Sequence, residues 1–330
     1  MSVKASPLLE VTALNVHFGG TSLIPAFAGP TLRAVNGVSL TVMPGETLGL
    51  VGESGSGKST LGRAILRIGD LTSGEILFDG TDMARATVGD LARLRRQTAM
   101  IFQDPYGALN PRMRVGEAIA EVLRVHRKVP RDKIGARVAE LLNLVGLDEG
   151  YARSRPVDLS GGQCQRVGIA RALAVEPKLI VADECVAALD VSIQGQIINL
   201  LMDLRERIGM AIIFIAHDLA IVRRLCDRVA VMYLGRIVEI GPTEQVFTDP
   251  SHPYTASLLR AIPDIDPDKG LPANPLTGEP PSPLALPCGC AFHPRCPKAL
   301  PQCSTGEPPS LEGVGPHRAA CILPPGEITI

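Results

Sequence analysis

The sequence predicts a doubly wound α/β fold with a mostly parallel sheet, and three observations carry that prediction. Apolar runs of strand length (TLGLVG, TAMIF, KLIVAD, AIIFIA and RVAVMYL) alternate with stretches patterned as helices. A glycine-rich turn, GESGSGKST, separates the first of these runs from a helix. Five of the eight cysteines fall in the last 43 of 330 residues, which sets a small end region apart from the rest.

Two segments near the start, LLEVTALNVHF and GVSLTVMPGE, alternate apolar and polar residues and read as an antiparallel ribbon leading in. The five apolar runs do not alternate. Unbroken runs of that kind mark strands buried on both faces, as in a parallel sheet covered by helices. Between Gln103 and Leu159 the spacing of Ile119, Val122 and Leu123, then of Val138, Leu141 and Leu142, suits two amphipathic helices. VMYLGRIVEIGPTEQVF reads as a second ribbon. From Pro263 to Pro287 there are eight prolines, too many for a packed element, so an extended strap is expected there.

Composition narrows the function. Hydrophobic residues make up 45% of the chain, enough for a full-sized core. A net charge of −1 advertises neither a nucleic-acid nor an anionic-membrane surface. Aromatic residues are only 3%, with no Trp, which argues against base-stacking platforms and membrane aromatic belts. The start lacks the pattern of a secretory signal, and no apolar run approaches the ~18 residues of a membrane span. The expectation is a soluble, cytoplasmic protein. In a reducing compartment, clustered thiols point to metal or redox chemistry before disulfides.

The turn after the first buried strand satisfies G-x-x-x-x-G-K-S at Gly52, Gly57, Lys58 and Ser59. Backbone N–H groups of such a loop curl around phosphate oxygens. Lys58 supplies a point charge to the β- and γ-phosphates, and the Ser59 hydroxyl can ligate Mg²⁺. A helix expected over Thr60–Ile68 aims its positive end at the same anion. The whole loop, Gly52, Glu53, Ser54, Gly55, Ser56, Gly57, Lys58, Ser59 and Thr60, is therefore the expected nucleotide cradle. The core resembles that of a P-loop NTPase, and the resemblance implies ATP and Mg²⁺ as its ligands. Chance alone would place this motif in a chain of this length on the order of once in a hundred sequences.

Downstream, KLIVADE ends a buried strand in two acids. Asp183 can hold the Mg²⁺ shell, and Glu184 can orient or deprotonate the attacking water. In LSGGQ, Ser160, Gly161 and Gly162 open a helix and so make a second anion site; taken alone, such a turn is usually a helix cap.

LSGGQCQRVGIARAL (Leu159–Leu173) resembles the signature of the ATP-binding-cassette ATPases. In that family two domains sandwich two ATPs, each held by one subunit's phosphate loop and by the other's signature, here Ser160, Gly161, Gly162 and Gln163. Further landmarks follow by resemblance. Gln103 in IFQDP is similar to the lid glutamine that reaches Mg²⁺ and water. Leu189 and Asp190 in AALD resemble the loop that crosses the dimer interface, and His217 in FIAHD the switch histidine that contacts the γ-phosphate. For the aromatic residue that stacks on adenine, His17, Phe18 and Phe27 are the upstream candidates, and Phe18 is chosen. One departure stands out: where this subfamily usually has proline after the glutamate, the chain reads Cys185, Val186 and Ala187. The fixed φ of the proline is lost. The chemical groups remain, so activity is expected, with reduced turnover if Glu184 is held more loosely.

FQDPYGALNPRMRVGE, the second ribbon and DPSHPYTASLLRAIP resemble the ATPase subunits of bacterial oligopeptide and dipeptide importers, a group that includes nickel, glutathione and opine systems. The resemblance implies a nucleotide-binding domain over 1–245, with a helical subdomain at about 105–158 that docks on permease subunits, and an end domain over 246–330. It implies a second, homologous ATPase subunit as dimer partner, two separate membrane permeases, an extracytoplasmic solute-binding protein acting indirectly, no nucleic acid, and a peripheral place on the cytoplasmic face of the inner membrane. Two other classes compete. A non-transport cassette ATPase would normally carry two cassettes or a long coiled coil, and neither is present in the sequence. A hydrolysis-impaired partner subunit is suggested by Cys185–Ala187 and opposed by the retained Lys58, Asp183, Glu184 and His217.

The tail cysteines Cys290, Cys296, Cys303 and Cys321 are spaced C-x₅-C-x₆-C-x₁₇-C, without the close pairs that structural zinc favours. Four thiolates on irregular loops suit a cubane iron–sulfur cluster at least as well. GC-x-F-x-x-RC (Gly289–Cys296) resembles the importer end domain in which four cysteines hold a [4Fe-4S] cluster, with zinc or free thiols as the alternatives. Cys288 is left out of the ligand set, and His293 and His317 are substitutes.

Overall fold

The structure, a computed structural model, describes residues 6–19, 29–261, 278–313, 315–324 and 326–328. Phe27 and residues 263–277 of the proline-rich strap lie outside these residues. The chain divides into two compact units. One, the acidic-turn unit, draws on Val42–Glu46 and Arg85–Ile215 with the start of the chain up to Leu8. The other, the phosphate-loop unit, draws on Leu9–Thr41, Thr47–Ala84 and Ala216–Ile330.

In the phosphate-loop unit, β1 (Leu9–Phe18) and β2 (Leu32–Val42) join β4 (Ser73–Phe78) and β5 (Thr81–Asp82) in an antiparallel sheet of order β2-β1-β4-β5. The leading ribbon is thus part of a four-stranded sheet. Its inward residues Val11, Leu14, Val16 and Ile76 are buried, and the alternation changes phase between Val11 and Leu14 at Ala13, where φ is 47 and the register with β4 shifts. β3 (Thr47–Val51) runs parallel to β9 (Arg228–Tyr233), with Leu50 opposite Ala230. β10 (Arg236–Pro242) returns antiparallel to β9, and two residues of the tail, β11 (Arg318–Ala319), add to the far side of β10. Between β3 and β4, α1 covers Lys58–Ile65. It starts earlier than the expected Thr60, because the loop lysine is already helical. It stops before Ile68, because Arg67 takes φ 53, a left-handed conformation that ends a helix. α7 (Leu219–Leu225), α8 (Thr243–Thr248) and α9 (Pro253–Arg260) complete this unit.

The acidic-turn unit is built on three parallel strands, β6 (Thr98–Ile101), β7 (Leu179–Asp183) and β8 (Ala211–Ile215), with β7 in the middle. Every residue of β7 and β8 is buried, which explains the unbroken apolar runs. Each fully buried Leu, Ile or Phe contributes roughly 1.5–3 kcal/mol relative to exposure. Its helices are α2 (Val88–Arg95), α3 (Val115–His126), α4 (Ile134–Leu144), α5 (Gly161–Leu173) and α6 (Val191–Ile208). α3 packs on both α4 and α5. Of the apolar stripe seen in the sequence, Ile119, Leu123, Val138, Leu141 and Leu142 are buried, and Val122 is half-buried. No helix among the described residues is long and apolar enough to cross a membrane.

Candidate active site

The phosphate loop leaves β3, whose five residues are all buried, and turns at Gly52–Gly57 into α1. Gly57 sits at φ 104, and a Cβ there would strike the carbonyl oxygen of Ala34, so the turn admits only glycine. No side chain caps α1, which leaves its first-turn N–H groups for an anion. Lys58 is 4% exposed. Its Nζ donates to the carbonyl oxygens of Gly52 and Glu53, both at 2.8 Å, so the cation lies back over the mouth of its own loop. Glu53 is held as well. Its N–H donates to the Tyr254 hydroxyl at 2.9 Å, and its carboxylate accepts two bonds from Arg295, at 2.8 and 2.9 Å.

In the acidic-turn unit, Asp183 closes β7 and is 3% exposed. Glu184 follows at φ 44, an uncommon conformation for a residue with a Cβ. Three bonds hold it. Its N–H donates to Ile215 O at 3.0 Å, its carbonyl accepts from the Ala187 N–H at 3.0 Å, and its Oε2 accepts from Gln103 Nε2 at 2.9 Å. The turn through Cys185, Val186 and Ala187 is therefore closed by backbone without a proline. Cys185 is 1% exposed, and burial pushes its thiol up to about 12, so it packs as a small apolar side chain.

The signature forms a reciprocal cap on α5. Ser160 Oγ accepts from the Gln163 N–H at 3.3 Å, and Gln163 Oε1 accepts from the Ser160 N–H at 2.9 Å. The Gln163 amide then donates to the Tyr151 hydroxyl at 2.9 Å. A Cβ on Gly162 would come within 2.6 Å of Ile193, so the glycine lets the signature pack closely on the first turn of α6. Asp190, the exposed residue that precedes α6, and Leu189 are thereby brought beside the signature.

His217 lies in the phosphate-loop unit, exposed, next to Asp218, whose carboxylate caps α7 through the N–H groups of Ala220 and Ile221. Phe18 ends β1 and is 51% exposed. Within this unit Lys58 is drawn onto the loop; within the other, Gln103 meets Glu184, and the signature meets Leu189.

The tail is anchored by a buried carboxylate. Glu239 is fully buried on β10 and accepts from the N–H groups of Ser251 (2.7 Å) and His252 (3.0 Å) and from His317 Nε2 (2.7 Å). His317 is thus engaged away from the cysteines. Burial pushes the His252 imidazole down to about 3, and its Nδ1 accepts the Tyr254 N–H at 3.1 Å. Phe292 packs against Tyr233 and Tyr254, with ring centroids 5.4 and 5.3 Å away.

Cys290, Cys296, Cys303 and Cys321 line one cavity of about 20 Å³, together with His293; Cys288 is exposed and outside it. Cys303 Sγ accepts the Leu300 N–H at 3.4 Å, and the backbone near Phe292, Lys298 and Leu323 favours the thiolates of Cys290, Cys296 and Cys321. Burial pushes the Cys290 thiol up to about 11 and raises those of Cys296 and Cys321. Among the described residues, no group of three or more His, Cys, Asp or Glu side chains is placed so that it could hold a metal ion.

Sequence reasoning did not single out Tyr254, Arg295 or Glu239. Tyr254 stands in SHPYT and Arg295 in GC-x-F-x-x-RC, but nothing local to either stretch names a target some 200 or more residues away.

Comparison with known proteins agrees with this geometry. Residues 35–187 match the ABC transporter family, and residues 238–303 match the oligopeptide/dipeptide transporter C-terminal region. The oligopeptide transport ATP-binding protein OppF of Salmonella typhimurium is 48% identical over 320 residues, covering 96% of each chain. A putative peptide import ATP-binding protein of Brucella abortus is 53% identical over 293 residues, covering 88% of this chain and 87% of its own. Among solved structures, cbiO1 of Clostridium perfringens, part of an ABC transporter complex, superposes with a TM-score of 0.63 at 32% identity, covering 73% of this chain and 90% of its own. A dimeric ATP-binding cassette bound to ADP and Pi gives the same TM-score at 28% identity, covering 71% and 98%. Such cassettes work on ATP with Mg²⁺. The chain belongs to the ATP-binding-cassette ATPases, in the family of ATP-binding subunits of bacterial oligopeptide and dipeptide importers.

Proposed function

We propose that this ATPase powers uptake of peptides or related small solutes through two separate permease subunits, paired with a second, homologous ATPase subunit. The observation that supports this most directly is that the match to the oligopeptide transport protein runs through both the cassette and the tail. On this reading 1–245 is the nucleotide-binding domain and 246–330 the end domain. The chain is peripheral on the cytoplasmic face of the inner membrane, served indirectly by an extracytoplasmic solute-binding protein.

The proposed chemistry is hydrolysis at composite sites. The loop Gly52–Thr60 cradles the phosphates, and Lys58 balances charge on the β- and γ-groups. Ser59, Asp183 and Gln103 hold Mg²⁺; oxygen donors such as the Ser59 hydroxyl and the buried Asp183 carboxylate are the kind that ion takes. Bound there, Mg²⁺ neutralises charge on the phosphates. Glu184 orients a water and takes its proton as the water oxygen bonds to the γ-phosphorus. The bond from that phosphorus to the bridging oxygen breaks, and ADP leaves with the electron pair. His217 contacts the γ-phosphate, Phe18 stacks on adenine, and Ser160–Gln163, with Leu189 and Asp190, serve the partner's nucleotide.

In the tail, Cys290, Cys296, Cys303 and Cys321 hold a [4Fe-4S] cluster. What supports this reading is that the four thiols line one cavity and that the Leu300 N–H donates to Cys303 Sγ. Its contribution is to clamp a region with little regular structure of its own.

Two measurements test the proposal. Glu184→Gln should abolish phosphate release yet retain ATP in a stable dimer, and co-expression with the permeases should move the chain to the membrane fraction. Hydrolysis at the wild-type rate would remove Glu184 as the base. Protein purified anaerobically should be brown, with iron and sulfide at about four each per chain. Colourless protein holding one zinc would overturn the cluster and leave a metal clamp.

A further inference from the structure

Glu53 is an odd residue to find in a phosphate cradle. The loop works by presenting N–H groups and a lysine to an anion, and a free carboxylate beside those groups opposes the charge they are built to bind. Here the carboxylate is not free. Both of its oxygens accept from Arg295, Nη1 to Oε2 at 2.8 Å and Nη2 to Oε1 at 2.9 Å. This is the fork-on-fork geometry of the strongest ion pairs. The Arg295 side chain is only 5% exposed, and its Nη1 also reaches the Tyr233 hydroxyl at 3.4 Å. The backbone of Glu53 is gripped on both sides: its N–H donates to Tyr254, and its carbonyl accepts from Lys58. One loop residue thus joins the nucleotide lysine to two side chains from the far end of the chain.

We infer that Arg295 is a positioning residue for nucleotide binding, neutralising Glu53 and fixing the loop so that the end domain forms part of the nucleotide site. The inference rests on the ATPase reading and does not depend on what the four cysteines hold. Tyr254 supplies the second hold, and the Glu53 carbonyl carries the constraint to Lys58. Arg295 adjoins Cys296, and Phe292 packs on Tyr254, so the cysteine module meets both side chains that hold Glu53.

The test uses the full chain, with equilibrium titration of a non-hydrolysed ATP analogue and steady-state ATPase kinetics. Arg295→Ala leaves the Glu53 carboxylate unneutralised in the cradle. The dissociation constant and KM for ATP should rise about tenfold, while kcat stays within about twofold. The deciding arm is the double variant Glu53→Gln with Arg295→Ala, in which the repelling charge is gone: affinity should return most of the way to wild type. A purely structural role predicts a double variant no better than the single one, and that result overturns the inference. So does an Arg295→Ala variant that binds like wild type. If Arg295→Ala does not fold, Arg295→Gln keeps a hydrogen bond to Glu53 and loses the charge. A severalfold weaker affinity supports the inference, and an unchanged one overturns it. A wild-type chain that bound no ATP would instead sink the ATPase reading itself.

Discussion

The phosphate loop and the acidic turn both leave the end of a fully buried strand, and both are proposed to serve phosphate chemistry, yet they are secured by different means. After β7, Glu184 is held by neighbours close at hand in the fold: the backbone of Ile215 and Ala187, and the amide of Gln103. After β3, Glu53 is held by side chains from far along the sequence, Tyr254 and Arg295, and by the loop's own lysine. A carboxylate that must meet a water is placed by two backbone bonds and by one amide bond to Oε2. A loop that must surround a polyanion is placed by side chains that also cancel its one negative charge. Backbone fixing is insensitive to the identity of Cys185 and Val186, which is why the missing proline leaves the turn closed.

The largest effect is expected at Lys58. Its Nζ spans two loop carbonyls and is the cation of the cradle. Lys58→Ala should weaken ATP binding by about a hundredfold or more, in line with the loss of charge-assisted bonds. Nucleotide titration by fluorescence or calorimetry checks this. An affinity within threefold of wild type would mean that the loop backbone alone binds the phosphates.

Gln103 sharpens the other side of the comparison. Its amide donates to the Glu184 carboxylate at 2.9 Å and so orients it. Gln103→Ala should lower kcat about tenfold and leave KM for ATP within about twofold, since the contact acts on the carboxylate that positions water. A rise in KM at constant kcat would instead place Gln103 in ground-state binding. Phosphate-release kinetics across an ATP series separate the two.

The same contrast explains how much of the molecule could be read from its sequence. The phosphate loop, the acidic pair and the signature were legible because each is a local pattern: a buried apolar run, then glycines or acids, then a helix. The signature's reciprocal cap is written within four residues, Ser160 to Gln163. The tail is legible in composition and not in structure. β11 is two residues long and finds β10 some 80 residues upstream, and Arg295 finds Glu53 across 242. No periodicity marks such pairings, because each depends on a single side chain or a two-residue bridge. The inward stripe of α3 and α4 shows the opposite limit: its spacing was plain, but a packed core and a docking face give the same pattern.

The smallest effect belongs at the base end of the nucleotide, where neither kind of fixing is seen. Phe18 closes β1 with half of its surface exposed, at 51%, so its ring has a free face on which a base can stack. Stacking on an aromatic ring is worth roughly 1–3 kcal/mol per base, and a half-exposed ring belongs at the low end of that range. Phe18→Ala should therefore weaken ATP about fivefold without altering kcat. Because any base offers a π-face, GTP should weaken by the same factor, leaving the preference between them unchanged. Parallel titrations of both nucleotides test this. Equal losses support stacking at Phe18, a loss confined to ATP would indicate an edge-specific contact instead, and no loss for either nucleotide would remove Phe18 from the base site.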